Sequence, residues 1–127
     1  MSAAPILRVV TCREMADCAI VALAMYLGHS YEDVLRAVTV SDRHQGKRGL
    51  WSRTIVRIAA RLGHQLKRKH AIDWESDYGI LRLPDHAVVL RNGLVFETDG
   101  TVWDVDAYLA HRDLKVDEVE LMVADGD

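Results

Sequence analysis

Cys18-Ala19-Ile20-Val21-Ala22-Leu23-Ala24-Met25-Tyr26-Leu27-Gly28 decides how this chain folds. Ala and Leu are strong helix formers. Asp17, just ahead of the run, is a preferred N-cap, and Gly28 behind it suits the left-handed position after a helix end. The stretch predicts a helix over 18–27. It is apolar all round, so it needs cover on every side and belongs at the centre of the domain.

Reading outward, Ser30-Tyr31-Glu32-Asp33 has a capping-box-like pattern and predicts a second helix to about Val38. Arg43 to Gly49 reads as an exposed loop. Trp51 to Leu62 predicts a third helix, with Ile55, Ile58, Ala59 and Leu62 on one stripe and Gly63 behind it. The period then changes. Gly79 to Leu83 predicts a strand. His86 to Arg91, the dipeptide Asn92-Gly93, and Leu94 to Thr98 predict a hairpin closed by a type I′ turn. Asp104 to Ala110 predicts a short helix, and Val116 to Val123 a last strand. Helices first and antiparallel strands second define an α+β class. The 127 residues suffice for one domain over 1–127.

The bulk properties narrow the function. The net charge of -3 sets no global electrostatic demand for nucleic acid or an anionic membrane. Met1-Ser2-Ala3-Ala4-Pro5 lacks the basic region and apolar run of a signal peptide. The longest apolar run, Ala19 to Leu27, is too short to span a bilayer. A cytoplasmic protein without membrane contact is expected. Cys12 and Cys18 have neither zinc-knuckle nor redox spacing, and both are expected as thiols. Cys12, Cys18, His86 and Asp99 match no closed zinc site, and there is no phosphate loop. No metal and no cofactor are expected.

Cys18 falls in the first turn of the buried helix, where unsatisfied N–H groups and the positive dipole end favour a thiolate. The same N–H groups can hold an oxyanion. A nucleophile needs a base. Of six histidines, only His86 opens an apolar strand, while the others fall in apparent loops or at element ends, where solvation is expected. If Asn92 and Gly93 form the turn, Arg91 faces Leu94 and His86 falls opposite Asp99, with Glu97 on the same face one step along the diagonal. Facing geometry favours Asp99 as the group orienting His86, and one bulge would shift that role to Glu97. Each residue alone has an ordinary structural reading, a buried thiol or a cross-strand pair. The order Cys-helix, His-strand, acid is what singles them out.

These residues also resemble a known family. Asp17-Cys18-Ala19-Ile20-Val21-Ala22-Leu23-Ala24-Met25 is similar to the nucleophile helix of C39-like peptidases, a papain-like branch of cysteine peptidases. His86-Ala87-Val88-Val89-Leu90 resembles the family's His strand, and Asp99, or less securely Glu97, matches the acid after the following strand. The resemblance runs from about Val10 to Leu109. It implies a papain-like fold with N-terminal helices packed on an antiparallel sheet. It further implies a peptidase or amidase with the triad Cys18, His86 and Asp99, acting on a peptide or protein substrate. Compact phage and bacterial proteins share this look, so a phage-encoded protein acting in the host cytoplasm is an expectation. The chain departs from the family twice. Cys12 stands where the family has a Gln oxyanion donor, and Ala19 where it usually has Gly. A thiol donates weakly, and one lost oxyanion donor lowers rates by about 10²–10³-fold. A weak or inactive module that binds a host or self protein is therefore the alternative.

Charge is segregated along the chain. Arg43 to Lys69 holds nine Lys and Arg and no acid, whereas Glu97 to Asp127 holds ten acids against Arg112 and Lys115. Arg53, Arg57 and Arg61 recur every four residues on one helix face. A solvated face is the plain reading, and a docking surface for an acidic protein the functional one; nucleic acid, without any recognised motif, is the least favoured partner. Trp51, Trp74 and Trp103 read as core anchors, and Trp103 is also placed to cover the triad's third member.

Overall fold

The apolar run folds as α1 (Cys18–Leu27), with Ala19 through Met25 all buried. Gly28 closes it at φ 74, where glycine carries no Cβ penalty. The structure is a computed structural model that describes residues 18–45, 52–84 and 86–124, with backbone alone at 43–45. α2 (Tyr31–Arg36) begins as predicted, its Ser30 Oγ accepting the Asp33 N–H. It ends short of the predicted Val38, and α3 (Val40–Gln45) follows. Thr39 and Asp42 cap α3 reciprocally. Thr39 Oγ1 accepts the Asp42 N–H at 3.1 Å, and Asp42 Oδ2 accepts the Thr39 N–H at 2.9 Å. The loop predicted from Arg43 is thus helical to Gln45, and its remainder lies outside the described residues. α4 (Ser52–Arg61) carries the predicted stripe: Ile55, Ile58 and Ala59 are buried, and Leu62 packs beside them. Trp51 lies outside the described residues.

Among the described residues six strands follow: β1 (Leu66–Lys69), β2 (Tyr78–Leu83), β3 (His86–Arg91), β4 (Leu94–Phe96), β5 (Val102–Asp104) and β6 (Glu120–Ala124). They form one antiparallel sheet in the order β1-β6-β2-β3-β4-β5. The protein is α+β, with helices preceding an antiparallel sheet. The hairpin has the predicted register, Arg91 facing Leu94, and both turn residues have positive φ, Asn92 at 50° and Gly93 at 80°. The last strand starts at Glu120 rather than Val116, because Val116–Glu118 is a 3₁₀ turn. β2 approaches β6 so closely that a Cβ on Gly79 would stand 2.4 Å from the Met122 carbonyl oxygen.

The sheet is covered on both faces. Ile80, Ala87, Val89 and Met122 pack with α1, α2 and α4. Leu81, Leu83, Val88, Leu90, Val95 and Leu121 pack with Val105 and Tyr108 of α5 (Val105–His111). Two-sided burial explains why β2 and β3 read as continuous apolar runs. By strand alternation His86, paired with Leu83, belongs to the α5 face, whereas Cys18 heads the helix on the other face. No helix among the described residues is long and apolar enough to cross a membrane.

Candidate active site

Cys18 is the first residue of α1 and is half-buried. The first N–H groups of a helix have no partner within it, so this position favours a negative sulfur. The Thr98 hydroxyl, buried just beyond β4, lies 4.0 Å from Cys18 Sγ and 3.2 Å from Glu97 Oε1. Thr98 therefore touches both the thiol and the acid. Asp17 and Cys12 lie outside the described residues, and with them the predicted cap and the predicted Cys12 oxyanion position.

His86 begins β3, and its Nε2 lies 2.5 Å from Glu97 Oε1. The side chains of the pair are 9% and 10% exposed. A carboxylate at Nε2 selects the tautomer protonated there and leaves the imidazole lone pair on Nδ1. Glu97 is held from several directions. Tyr108 OH donates to Oε2 at 2.6 Å, the Thr98 N–H donates to Oε1 at 2.8 Å, and Arg112 Nη2 lies 3.5 Å from Oε2. Burial alone would raise the Glu97 carboxyl. The bonds from His86, Tyr108 and the Thr98 N–H outweigh it and hold the group down at about 2, against an ordinary 4.5. Burial, and then the bond to Glu97, push the Tyr108 hydroxyl well above its usual range. Tyr108 is thus a fixed neutral donor beside a fixed carboxylate.

Asp99 does not reach His86, which corrects the preferred third member. β4 stops at Phe96 instead of continuing to Thr98. The Glu97 N–H bonds the Thr101 carbonyl, the Gly100 N–H bonds the Glu97 carbonyl, and Gly100 sits at φ 92. Asp99 thereby stands at an exposed turn, where its Oδ1 accepts from the Thr101 N–H and hydroxyl at 2.9 and 2.6 Å. The missed signal is Asp99-Gly100 itself, a turn dipeptide. The carboxylate weighed as the alternative, Glu97, is the one on the imidazole. Tyr108, Thr98 and Arg112 were not foreseen. Nothing in their local sequence marks them; only the docking of α5 on the sheet brings Tyr108 and Arg112 to Glu97.

A cavity of about 280 Å³ opens beside the pair, lined in part by His86, Glu97, Trp103 and Arg112. Trp103 stands edge-on to Tyr108, ring centroids 5.8 Å apart, and stacks on His111 at 4.8 Å. It thus covers Tyr108, which supports the acid, and packs against the α5-side core together with Trp74. The predicted basic face divides. Arg57 and Arg61 hold the buried Asp42, at 3.3 Å and 2.5 Å, and Arg61 also donates to the Ala37 carbonyl. Arg53 instead borders a separate polar cavity with Arg68, Arg82 and Glu120. Segregation of charge along the chain is partly cancelled in space, since Arg68 bonds Glu120 through two nitrogens and Lys69 bonds Asp77. The expectation that the other histidines are solvated fails for His29 and His64, which are half-buried with their Nε2 atoms 3.0 Å apart. This chain matches no protein-family model, no curated protein and no solved structure.

Proposed function

We propose that this protein is a cysteine hydrolase of papain-like design, acting on a peptide or amide bond. One observation carries the reading. A buried His86–Glu97 pair at 2.5 Å is joined through Thr98 to a thiol at the first turn of a ten-residue helix. Cys18 attacks the carbonyl carbon, and its proton passes to Nδ1 of His86. Glu97 orients the ring and stabilises the imidazolium, as the acid of a triad does. The negative oxygen of the tetrahedral intermediate meets the N–H groups at the start of α1. His86 then returns the proton to the leaving amine, and water releases the acyl group from sulfur.

The order of the parts, a thiol on an early helix, a base on a central strand and an acid beyond the next strand, supports the papain-like assignment. The substrate in this reading is a peptide or protein. Phage encoding and a host-cytoplasmic site of action remain part of the proposal, on the resemblance alone. The test is hydrolysis of a diverse peptide library. Wild-type protein should release products that vanish in both Cys18→Ala and His86→Ala, with folded circular dichroism spectra for each. Turnover that survives Cys18→Ala would sink the reading.

A further inference from the structure

Leu-Gly-His occurs twice in the chain, as Leu27-Gly28-His29 and Leu62-Gly63-His64. Each copy closes a ten-residue helix, α1 and α4 respectively. The closures are alike. Gly28 and Gly63 take φ 74 and 90, the His29 N–H bonds the Ala24 carbonyl, and the His64 N–H bonds the Ala59 carbonyl. This six-residue return fixes the backbone of each histidine. The two rings stand edge to face at 84°, centroids 5.1 Å apart, with the Nε2 atoms 3.0 Å from each other.

Two features at this junction favour a cation. The negative dipole ends of α1 and α4 converge here. α1 has no basic residue in its last turn, and the Arg61 guanidinium of α4 is turned to Asp42 and the Ala37 carbonyl. Imidazole nitrogen suits zinc and its first-row neighbours. A tetrahedral ion at ordinary zinc–nitrogen distances separates two nitrogens by about 3.3 Å, so a small ring rotation accommodates it.

We infer that His29 and His64 form a two-imidazole site for a divalent transition-metal ion such as zinc, clipping the C-terminal ends of α1 and α4 together. Among the described residues no group of three or more His, Cys, Asp or Glu is placed to hold a metal, so water completes the coordination. Two protein ligands make this a weaker site than a closed four-ligand one. Binding needs neutral imidazoles and so strengthens as pH rises. The inference is independent of the chemistry at Cys18.

Zinc titration of the whole protein by calorimetry tests it, with His29→Asn and His64→Asn for comparison. Wild type should bind one ion per chain near neutral pH, and each variant about tenfold or more weakly, since it keeps one ligand of two. Cobalt should give ligand-field bands without the thiolate charge-transfer band that a Cys18 site produces. In wild type, zinc should also shield His29 and His64 from diethylpyrocarbonate, a readout that does not depend on the variants folding. Equal zinc affinity in the variants, no binding by wild type, a thiolate–cobalt band, or unshielded His29 and His64 would each overturn the inference.

Discussion

Glu97 and Asp42 are both buried carboxylates, 8% and 0% exposed, and both are held below the usual carboxylate range although burial pushes them up. Their partners differ. Asp42 is bound by the Thr39 N–H and by two guanidiniums, Arg57 and Arg61, which keep their charge at any ordinary pH. Nothing there can pass a proton, so the cluster fastens α3 to α4. Glu97 is bound by the His86 imidazole and the Tyr108 hydroxyl, and Thr98 links it to a thiol. A depressed carboxylate alone does not mark a reactive site. What sets Glu97 apart is an imidazole in place of guanidiniums, with Thr98 between the carboxylate and a thiol.

Exchanging the two acids should separate their roles. Glu97→Gln keeps the shape but removes the charge that steadies the imidazolium, and turnover per folded molecule should fall by about 10²–10⁴-fold. Asp42→Ala should do the reverse, costing about 1–3 kcal/mol in denaturant titration through a lost cap and two lost ion pairs while leaving turnover per folded molecule intact. If Asp42→Ala lowered turnover as much as Glu97→Gln, the contrast would collapse.

Acid should expose the same difference. The Glu97 carboxyl is lowered on folding, so its contribution to stability is complete above 4.5 and disappears as pH falls toward about 2. In Glu97→Gln that part of the stability loss between pH 4.5 and 2 should be missing when unfolding is followed across the window. Tyr108→Phe should act more mildly. Losing the donor at Oε2 lets the carboxyl rise, so the acid limb of the rate profile should move to higher pH and turnover should drop by about tenfold. The smallest effect is expected for Arg53→Ala, within about 0.5 kcal/mol of wild type, because none of the ion pairs of Asp42 involves it.

The sequence showed the central helix, the hairpin register and the strand that opens at His86. These follow from local rules: helix formers closed by glycine, and Asn-Gly between β-rich runs. The edge strands escaped the same rules. β1 is Leu-Lys-Arg-Lys, with no alternation to read, and becomes a strand by pairing with β6, where Arg68 meets Glu120. β5 spans three residues after a turn. Missing that turn is what placed Asp99 opposite His86, since the extrapolated register assumed a strand beyond Phe96. Thr39 to Asp42 did carry a legible capping pattern like that at Ser30, whereas Tyr108 could be found only from the docking of α5 on the sheet.

The most direct measurement is the rate of Cys18 alkylation by iodoacetamide across pH, in wild type and in His86→Ala, with the labelled peptide identified by mass spectrometry. An activated pair predicts a wild-type thiol that titrates well below its free value of about 8.5 and returns toward it in His86→Ala. A Cys18 that titrates near that free value in both proteins would contradict the account.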